Sequence, residues 1–393
     1  MNDQKLPAAI LALAAAHLVN DAFANIYAPL LPLFIPRIGL SLAAAGAIAM
    51  AFQVANSVGQ MVVGPLADRW RMSAFALAGP FVAVVALSLV GLARSAPALA
   101  VMMVAGSLGN AAFHPASASL VHSAGGRRPG LAMSVHVTGG AVGTAIAPFI
   151  FAPYAEHLGL GWTPLLAVPA LAVLALIGPF IPRESEAAGM SNTGPGALRP
   201  YAKPLALLWS VVVVRATVSL GFSTFLPVFL TARGMSVSNA GIVTGVYLLA
   251  GSIGGLGGGP AADRFGPRGV IAWTLLASVP LQVAAVGLDG SLAAVALAGG
   301  GLLLGSTLPV NVTYAHMIAP VATGTVSSLM LGVAWGAAGT AVPLIGLAAD
   351  AIGLGPSLVF LALLPAPAAA LTLLLPRLGG VPPEARPSAA ARG

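Results

Sequence analysis

Apolar stretches of about 20 residues or more follow one another along the whole of this 393-residue chain, and each is long enough to cross a bilayer as a helix. Charged residues make up only 7% of the sequence against 58% hydrophobic ones, where a soluble domain carries about 25% charge. Too little charge remains to coat a water-facing surface, so the expected units of the fold are helices packed within lipid. The stretches fall at 7–35, 42–65, 74–93, 98–121, 130–152, 163–182, 204–231, 237–259, 269–288, 292–317, 324–348 and 356–376. Breaks come where Gly, Pro and charged residues cluster, as at Ala67–Ser73, Ser123–Gly130 and Pro260–Gly269. The first stretch, after Lys5, has the look of a signal peptide; it is read as an uncleaved first span because it has a partner in the second half of the chain.

An internal repeat sets how the spans are organised. Residues 31–69 align without a gap on 226–264, an offset of 195, with 15 identities in 39 positions, where a composition this biased gives roughly 4 by chance. The identities include Leu31/Leu226, Pro32/Pro227, Phe34/Phe229, Gly46/Gly241, Gly64/Gly259 and Asp68/Asp263. Span 5 continues the register with a one-residue shift, Gly143-Thr144-Ala145 against Gly339-Thr340-Ala341. The expected fold is an all-α membrane protein of twelve transmembrane helices, built as two parallel six-helix bundles related by a pseudo-two-fold along the membrane normal. The bundles are 1–182 and 204–376. The segment 183–203 carries Arg183, Glu184, Glu186, Arg199 and Lys203 and reads as a flexible cytoplasmic linker. The tail 377–393, of Gly, Pro, Ala and Arg, reads as disordered.

Lys and Arg counts orient the bundle. With the N-terminus inside, inner segments hold 13 of these residues and outer segments hold Arg37, Arg94 and Arg233, while Arg215 lies within a span. Both termini are thereby expected in the cytoplasm of a cell with a bacterial-type plasma membrane. The net charge of +7 is spread over short loops with no basic stripe, which argues against nucleic acid as a partner. The absence of cysteine excludes disulfides, thiol catalysis and thiolate metal sites.

Two loops carry a shared pattern. Gly64-Pro65-Leu66-Ala67-Asp68-Arg69 follows span 2, and Gly259-Pro260-Ala261-Ala262-Asp263-Arg264-Phe265-Gly266-Pro267-Arg268 follows span 8. A glycine there permits close helix approach, the aspartate suits a helix N-terminus, and the arginine suits a carboxylate across the bundle; the plainer alternative is a tight basic turn. These segments resemble the loop signature G-x-x-x-D-R-x-G-x-R of the major facilitator superfamily. That resemblance implies secondary transport by alternating access, with Gly64, Asp68, Arg69, Gly259, Asp263, Arg264 and Arg268 as a conformational gate. Gly130, Gly139 and Gly143 in span 5 resemble the start of the glycine-rich fifth-helix motif of proton-coupled antiporters, or else serve plain small-residue helix packing. His17-Leu18-Val19-Asn20-Asp21 and Phe113-His114-Pro115 are similar to the fosmidomycin-resistance branch of the superfamily.

Polar residues inside the spans supply the candidate site. Asp21 is the acidic residue well inside a span, where a carboxylate costs about 2.5–3.5 kcal/mol on insertion scales and stays for a functional reason. It is expected to carry protons together with His17. His17, Asp21 and Asn25 share a helix face at i, i+4, i+8. Arg215, the cation deep in span 7, is expected to hold an anionic substrate or to pair with Asp21. Asn20, Asn25, His114, Asn110, His136, Asn311 and Tyr314 are further substrate-contact candidates; the alternative for each is helix-to-helix hydrogen bonding. His17, Asp21 and His114 suggest a metal, but spacing alone fixes no ligand geometry, so neither a metal nor a cofactor is assigned.

The expected function is proton-coupled efflux of a small drug-like or anionic compound by a monomer whose partners are substrate, protons and lipid. The alternative is proton-coupled uptake of a small organic anion or nutrient. An intramembrane enzyme using His114 is disfavoured because no positioned nucleophile or second base is evident, and no G-x-x-x-x-G-K-[ST] loop is present for ATP drive.

Overall fold

The computed structural model describes residues 7–69, 72–126, 128–182 and 195–377. Twelve helices long and apolar enough to span a membrane run through them: α1 Ala8–Ile38, α2 Leu42–Val63, α3 Met72–Leu92, α4 Ala96–Ala124, α5 Pro129–Leu158, α6 Leu160–Phe180, α7 Leu198–Ala232, α8 Val237–Phe265, α9 Pro267–Gly287, α10 Gly290–Ile318, α11 Thr323–Ile352 and α12 Leu354–Thr372. They match the twelve expected spans. The tail and most of the linker lie outside the described residues. Large apolar side chains such as Leu176, Trp273, Val295 and Leu374 are left exposed, as lipid-facing positions require.

Two breaks have local causes. The first segment of α1 ends at Ala24, and the helix resumes at Tyr27. The Asn25 side-chain amide donates to the Asp21 carbonyl at 2.8 Å, supplying a partner in the last turn before the break. Helix α11 contains a π-helical turn at Leu329–Val333 and breaks near Thr340, resuming at Val342. The outer boundaries also differ from expectation. Helix α5 runs on to Leu158 and α11 to Ile352, so Glu156 and Asp350, read from sequence as loop residues, belong to the last turns of helices.

The chain divides into two compact units. The first comprises Met1–Met190, Ser219–Leu249 and Trp335–Leu361; the second comprises Ser191–Val218, Ala250–Ala334 and Ala362–Gly393. Within the first, α1 packs along α5, α4 lies against both α2 and α3, and α2 meets the end of α11. Small residues set these approaches. A Cβ on Gly79 would lie 2.8 Å from the Gly109 carbonyl, and one on Gly109 would lie 2.7 Å from that of Gly79. Gly139 and Gly143 of α5 seat against the carbonyls of Ala14 and Leu18 in α1, and Gly140 between them faces the His17 ring. The fifth-helix glycines therefore fix where His17 and its neighbours sit.

Within the second unit, α9 packs against α10 and α12. Gly254 and Gly258 of α8 abut the carbonyls of Leu302 and Ser306 in α10. Gly259, expected to permit close approach, has nothing within 4 Å of where its Cβ would be. The intimate face of α8 belongs to its neighbour Gly258, one residue and about 100° round the helix.

Candidate functional site

Five polar side chains from α1, α4 and α5 converge in the first unit. His17 Nδ1 lies 2.9 Å from the carbonyl oxygen of His136. A carbonyl only accepts, so Nδ1 must carry the hydrogen. The other ring nitrogen, Nε2, lies 3.2 Å from Asp21 Oδ2, and His114 Nε2 lies 3.6 Å from Asp21 Oδ1. With Nδ1 already protonated, the contact between His17 Nε2 and Asp21 Oδ2 needs a proton on one partner or the other, since two lone pairs would repel. The His17 and His136 rings lie 4.3 Å apart, and Phe113 meets His17 edge-on at 5.5 Å, closing one side with apolar surface. His136 Nε2 is 3.2 Å from Ser117 Oγ. His136 is 2% exposed, whereas the side chains of Asp21 and His114 are 17% and 27% exposed. The cluster therefore has a buried wall and an accessible mouth.

An amide chain supports the carboxylate from behind. Asn20 Nδ2 donates to Asp21 Oδ1 at 3.0 Å and lies within hydrogen-bond reach of Asn110 Oδ1 at 2.5 Å. Asn110 Nδ2 donates to Asn56 Oδ1 at 2.9 Å, which also accepts from Gln60 Nε2 at 3.2 Å. Asn20 is fully buried and Asn110 nearly so. Both were expected to touch substrate; their geometry makes them holders of Asp21 and links between α1, α2 and α4. Asn25 likewise serves the break in α1 and reaches Thr144 Oγ1 at 3.3 Å.

The second unit holds the remaining candidates. Arg215 is 4% exposed, and its Nε donates to the Leu304 carbonyl at 3.3 Å. Asn311 is buried, with neither side-chain amide atom hydrogen-bonded. Tyr314 is fully buried and donates its hydroxyl to the Pro376 carbonyl. It ties α10 to the chain beyond α12. Among the gate residues, Asp263 and Arg264 are exposed, with the Arg264 guanidinium 5.1 Å from the Phe265 ring centroid. Arg268 donates to the Leu373 carbonyl, joining α9 to the end of α12. The Gly64, Asp68 and Arg69 positions lie outside the residues whose side chains are described.

A second polar arrangement escaped the sequence reading. At the start of α2, Leu42 N and Ala43 N donate to the two carboxylate oxygens of Asp350 in α11, both at 2.9 Å. Ala44 N donates to Ser41 Oγ at 3.1 Å. At the start of α8, Val237 N and Ser238 N donate to the two oxygens of Glu156 in α5 at 2.9 and 2.8 Å. The Ser238 hydroxyl adds a bond to the same carboxylate, and Asn239 N donates to Ser236 Oγ at 3.2 Å. Each helix start thus has its first three N–H groups satisfied, two by an acid from the other half of the chain. Beneath the caps, Gly46 faces Val342 and Pro343 while Gly241 faces Pro148. Both pairings obey the repeat. The signal was available: Ala155-Glu156 before Gly159-Leu160-Gly161 matches Ala349-Asp350 before Gly353-Leu354-Gly355 at an offset of 194.

Comparison with known proteins accords with this architecture. The sequence profile of the Major Facilitator Superfamily matches residues 13–240, more than half of the chain. An uncharacterized MFS-type transporter, YfnC of Bacillus subtilis (strain 168), is 31% identical over 374 residues, covering 91% of this chain and 90% of that protein. The fosmidomycin resistance protein of Escherichia coli (strain K12) is 29% identical over 358 residues, covering 86% of each. In fold, the crystal structure of a bacterial homologue of the human lysosomal transporter Spinster superposes with a TM-score of 0.79 at 19% identity, over 93% of this chain and 96% of that one. The chain is an integral membrane transporter and belongs to the Major Facilitator Superfamily.

Proposed function

We propose that the protein is a proton-driven exporter of small drug-like or anionic compounds, acting as a monomer in the bacterial plasma membrane with both termini in the cytoplasm. The observation that carries this reading is Asp21. A carboxylate between two imidazole nitrogens, one belonging to a ring whose tautomer a backbone carbonyl fixes, is suited to gain and lose a proton without rearranging its surroundings. The likeness to the fosmidomycin resistance protein supports export over uptake. Arg215 supplies a buried positive charge for an anionic substrate.

Transport proceeds by rocking of the halves 1–182 and 204–376 about the linker 183–203. The Lys and Arg distribution puts the ends capped by Glu156 and Asp350 on the outside, so these carboxylates hold the outer side shut. The loop signatures around Asp68–Arg69 and Asp263–Arg268 act as the corresponding latch on the cytoplasmic side. Fosmidomycin is the first compound to assay, as accumulation in cells lacking their own efflux pumps. Wild-type protein lowers accumulation and dissipating the proton gradient restores it. Asp21→Asn, present in the membrane at the same level, leaves accumulation as high as in cells without the transporter. Export by Asp21→Asn at the wild-type rate overturns the coupling role.

A further inference from the structure

We infer that His17, Asp21 and His114 form a binding site for a divalent transition metal of the zinc class.

The ligand atoms are already gathered. The two imidazole nitrogens and a carboxylate oxygen lie within 4.8 Å of one another, with His17 Nε2 3.2 Å from Asp21 Oδ2 and His114 Nε2 3.6 Å from Asp21 Oδ1. A zinc ion bound at about 2.0–2.1 Å to nitrogen and oxygen ligands holds them roughly 3.3 Å apart in a tetrahedral shell. Both measured contacts are near that spacing, one to each oxygen of the carboxylate, and the two imidazole nitrogens lie within 4.8 Å of one another. Spacing along the chain fixes no ligand geometry for these residues, whereas the folded chain gathers them.

The surroundings match a metal site in three further respects. Metal-binding histidines characteristically donate their other ring N–H to a carbonyl or carboxylate, which fixes the ligating nitrogen; His17 does this to the His136 carbonyl at 2.9 Å. The ligating carboxylate is itself held, by Asn20 Nδ2 at 3.0 Å. The exposed flanks of Asp21 and His114 leave a coordination position for water or a substrate anion. Two imidazoles and one carboxylate favour zinc, nickel or cobalt over magnesium and calcium, which prefer shells of oxygen.

The test uses full-length purified protein in detergent, freed of any polyhistidine tag. Thermal unfolding is followed during titration with zinc chloride, with magnesium chloride as the control. Zinc is expected to raise the melting temperature saturably, because a ligand that binds the folded state stabilises it, and magnesium to leave it unchanged. His114→Ala and Asp21→Asn abolish the zinc shift, whereas His316→Ala, on a histidine bonded to Ser327, retains it. Cobalt substitution provides a readout independent of stability: wild type develops the visible absorption of a low-coordinate cobalt centre and His114→Ala does not. No zinc shift in wild type, or a shift and cobalt spectrum that persist in His114→Ala and Asp21→Asn, overturns the site.

Discussion

On the proposed topology, removing the charge from the Glu156 and Asp350 caps should open the transporter on the outer side. In the double variant Glu156→Gln, Asp350→Asn each side chain retains one amide oxygen, so one of the two main-chain N–H groups at each helix start loses its partner and both charges vanish. A carboxylate at a helix N-terminus contributes about 0.3–1 kcal/mol when exposed and up to about 2 kcal/mol when partly buried. Asp350 is exposed and belongs near the lower figure; Glu156 is half-buried and has the added Ser238 hydroxyl, which moves it upward. Together the pair is worth about 1–2 kcal/mol, or about a 5- to 30-fold shift in the equilibrium between outer-closed and outer-open forms at RT of about 0.6 kcal/mol. The chain has no cysteine, so Val342→Cys gives a single reporter. Val342 is 1% exposed, against Gly46, and is reached only when α2 and α11 separate. The rate of its reaction with a membrane-impermeant maleimide should rise by the same factor in the double variant and by an intermediate factor in each single one. Salt near 1 M should narrow the difference, since exposed charges are screened. An unchanged labelling rate, or one rising only with general loss of stability, refutes the latch.

Three further outcomes follow from the packing. Gly143→Val drives a side chain into the Leu18 carbonyl of α1; overpacking of this kind costs typically about 1–3 kcal/mol, so the melting temperature should fall and Asp21-dependent export should fall with it. Asn110→Leu removes one of the two partners of the buried Asn20 amide and of the half-buried Asn56, leaving them Asp21 and Gln60; losing two such bonds costs about 1–3 kcal/mol, read as a lower melting temperature. Tyr314→Phe removes only the bond to Pro376; stability should drop by about 1 kcal/mol with no change in substrate KM, and a rise in KM would restore Tyr314 as a contact residue.

The sequence made the architecture legible because lipid imposes a strict length rule and duplication writes the same register twice. Twelve spans, and the placement of Asp21 inside the first of them, follow from those two facts. Side-chain direction did not follow. Asn20 and Asp21 are adjacent, yet about 100° apart round the helix, so one is fully buried against Asn110 and the other reaches the mouth of the cluster. Periodicity cannot separate such neighbours when every face of a membrane helix is apolar. The caps were missed for a different reason. Hydropathy ends a span at the first charge, so Glu156 and Asp350 were read as loop residues although each sits in the final helical turn. Following the repeat beyond Ala145 with a shift to offset 194 pairs Glu156 with Asp350. Gly259 shows the opposite error, since a motif supplied a close-approach role that Gly258 performs.

Every member of the His17–Asp21–His114 cluster, and of the amide chain behind it, comes from α1, α2, α4 or α5, all in the first half of the chain. In a rocking carrier such a cluster travels as cargo of one rigid body, and no bond inside it has to break for the cycle to turn. Its affinity for a proton is then governed by which aqueous compartment wets its open flank, and by what the opposite half brings up to it. On the proposed proton-driven cycle, coupling is then a matter of which side has access to Asp21.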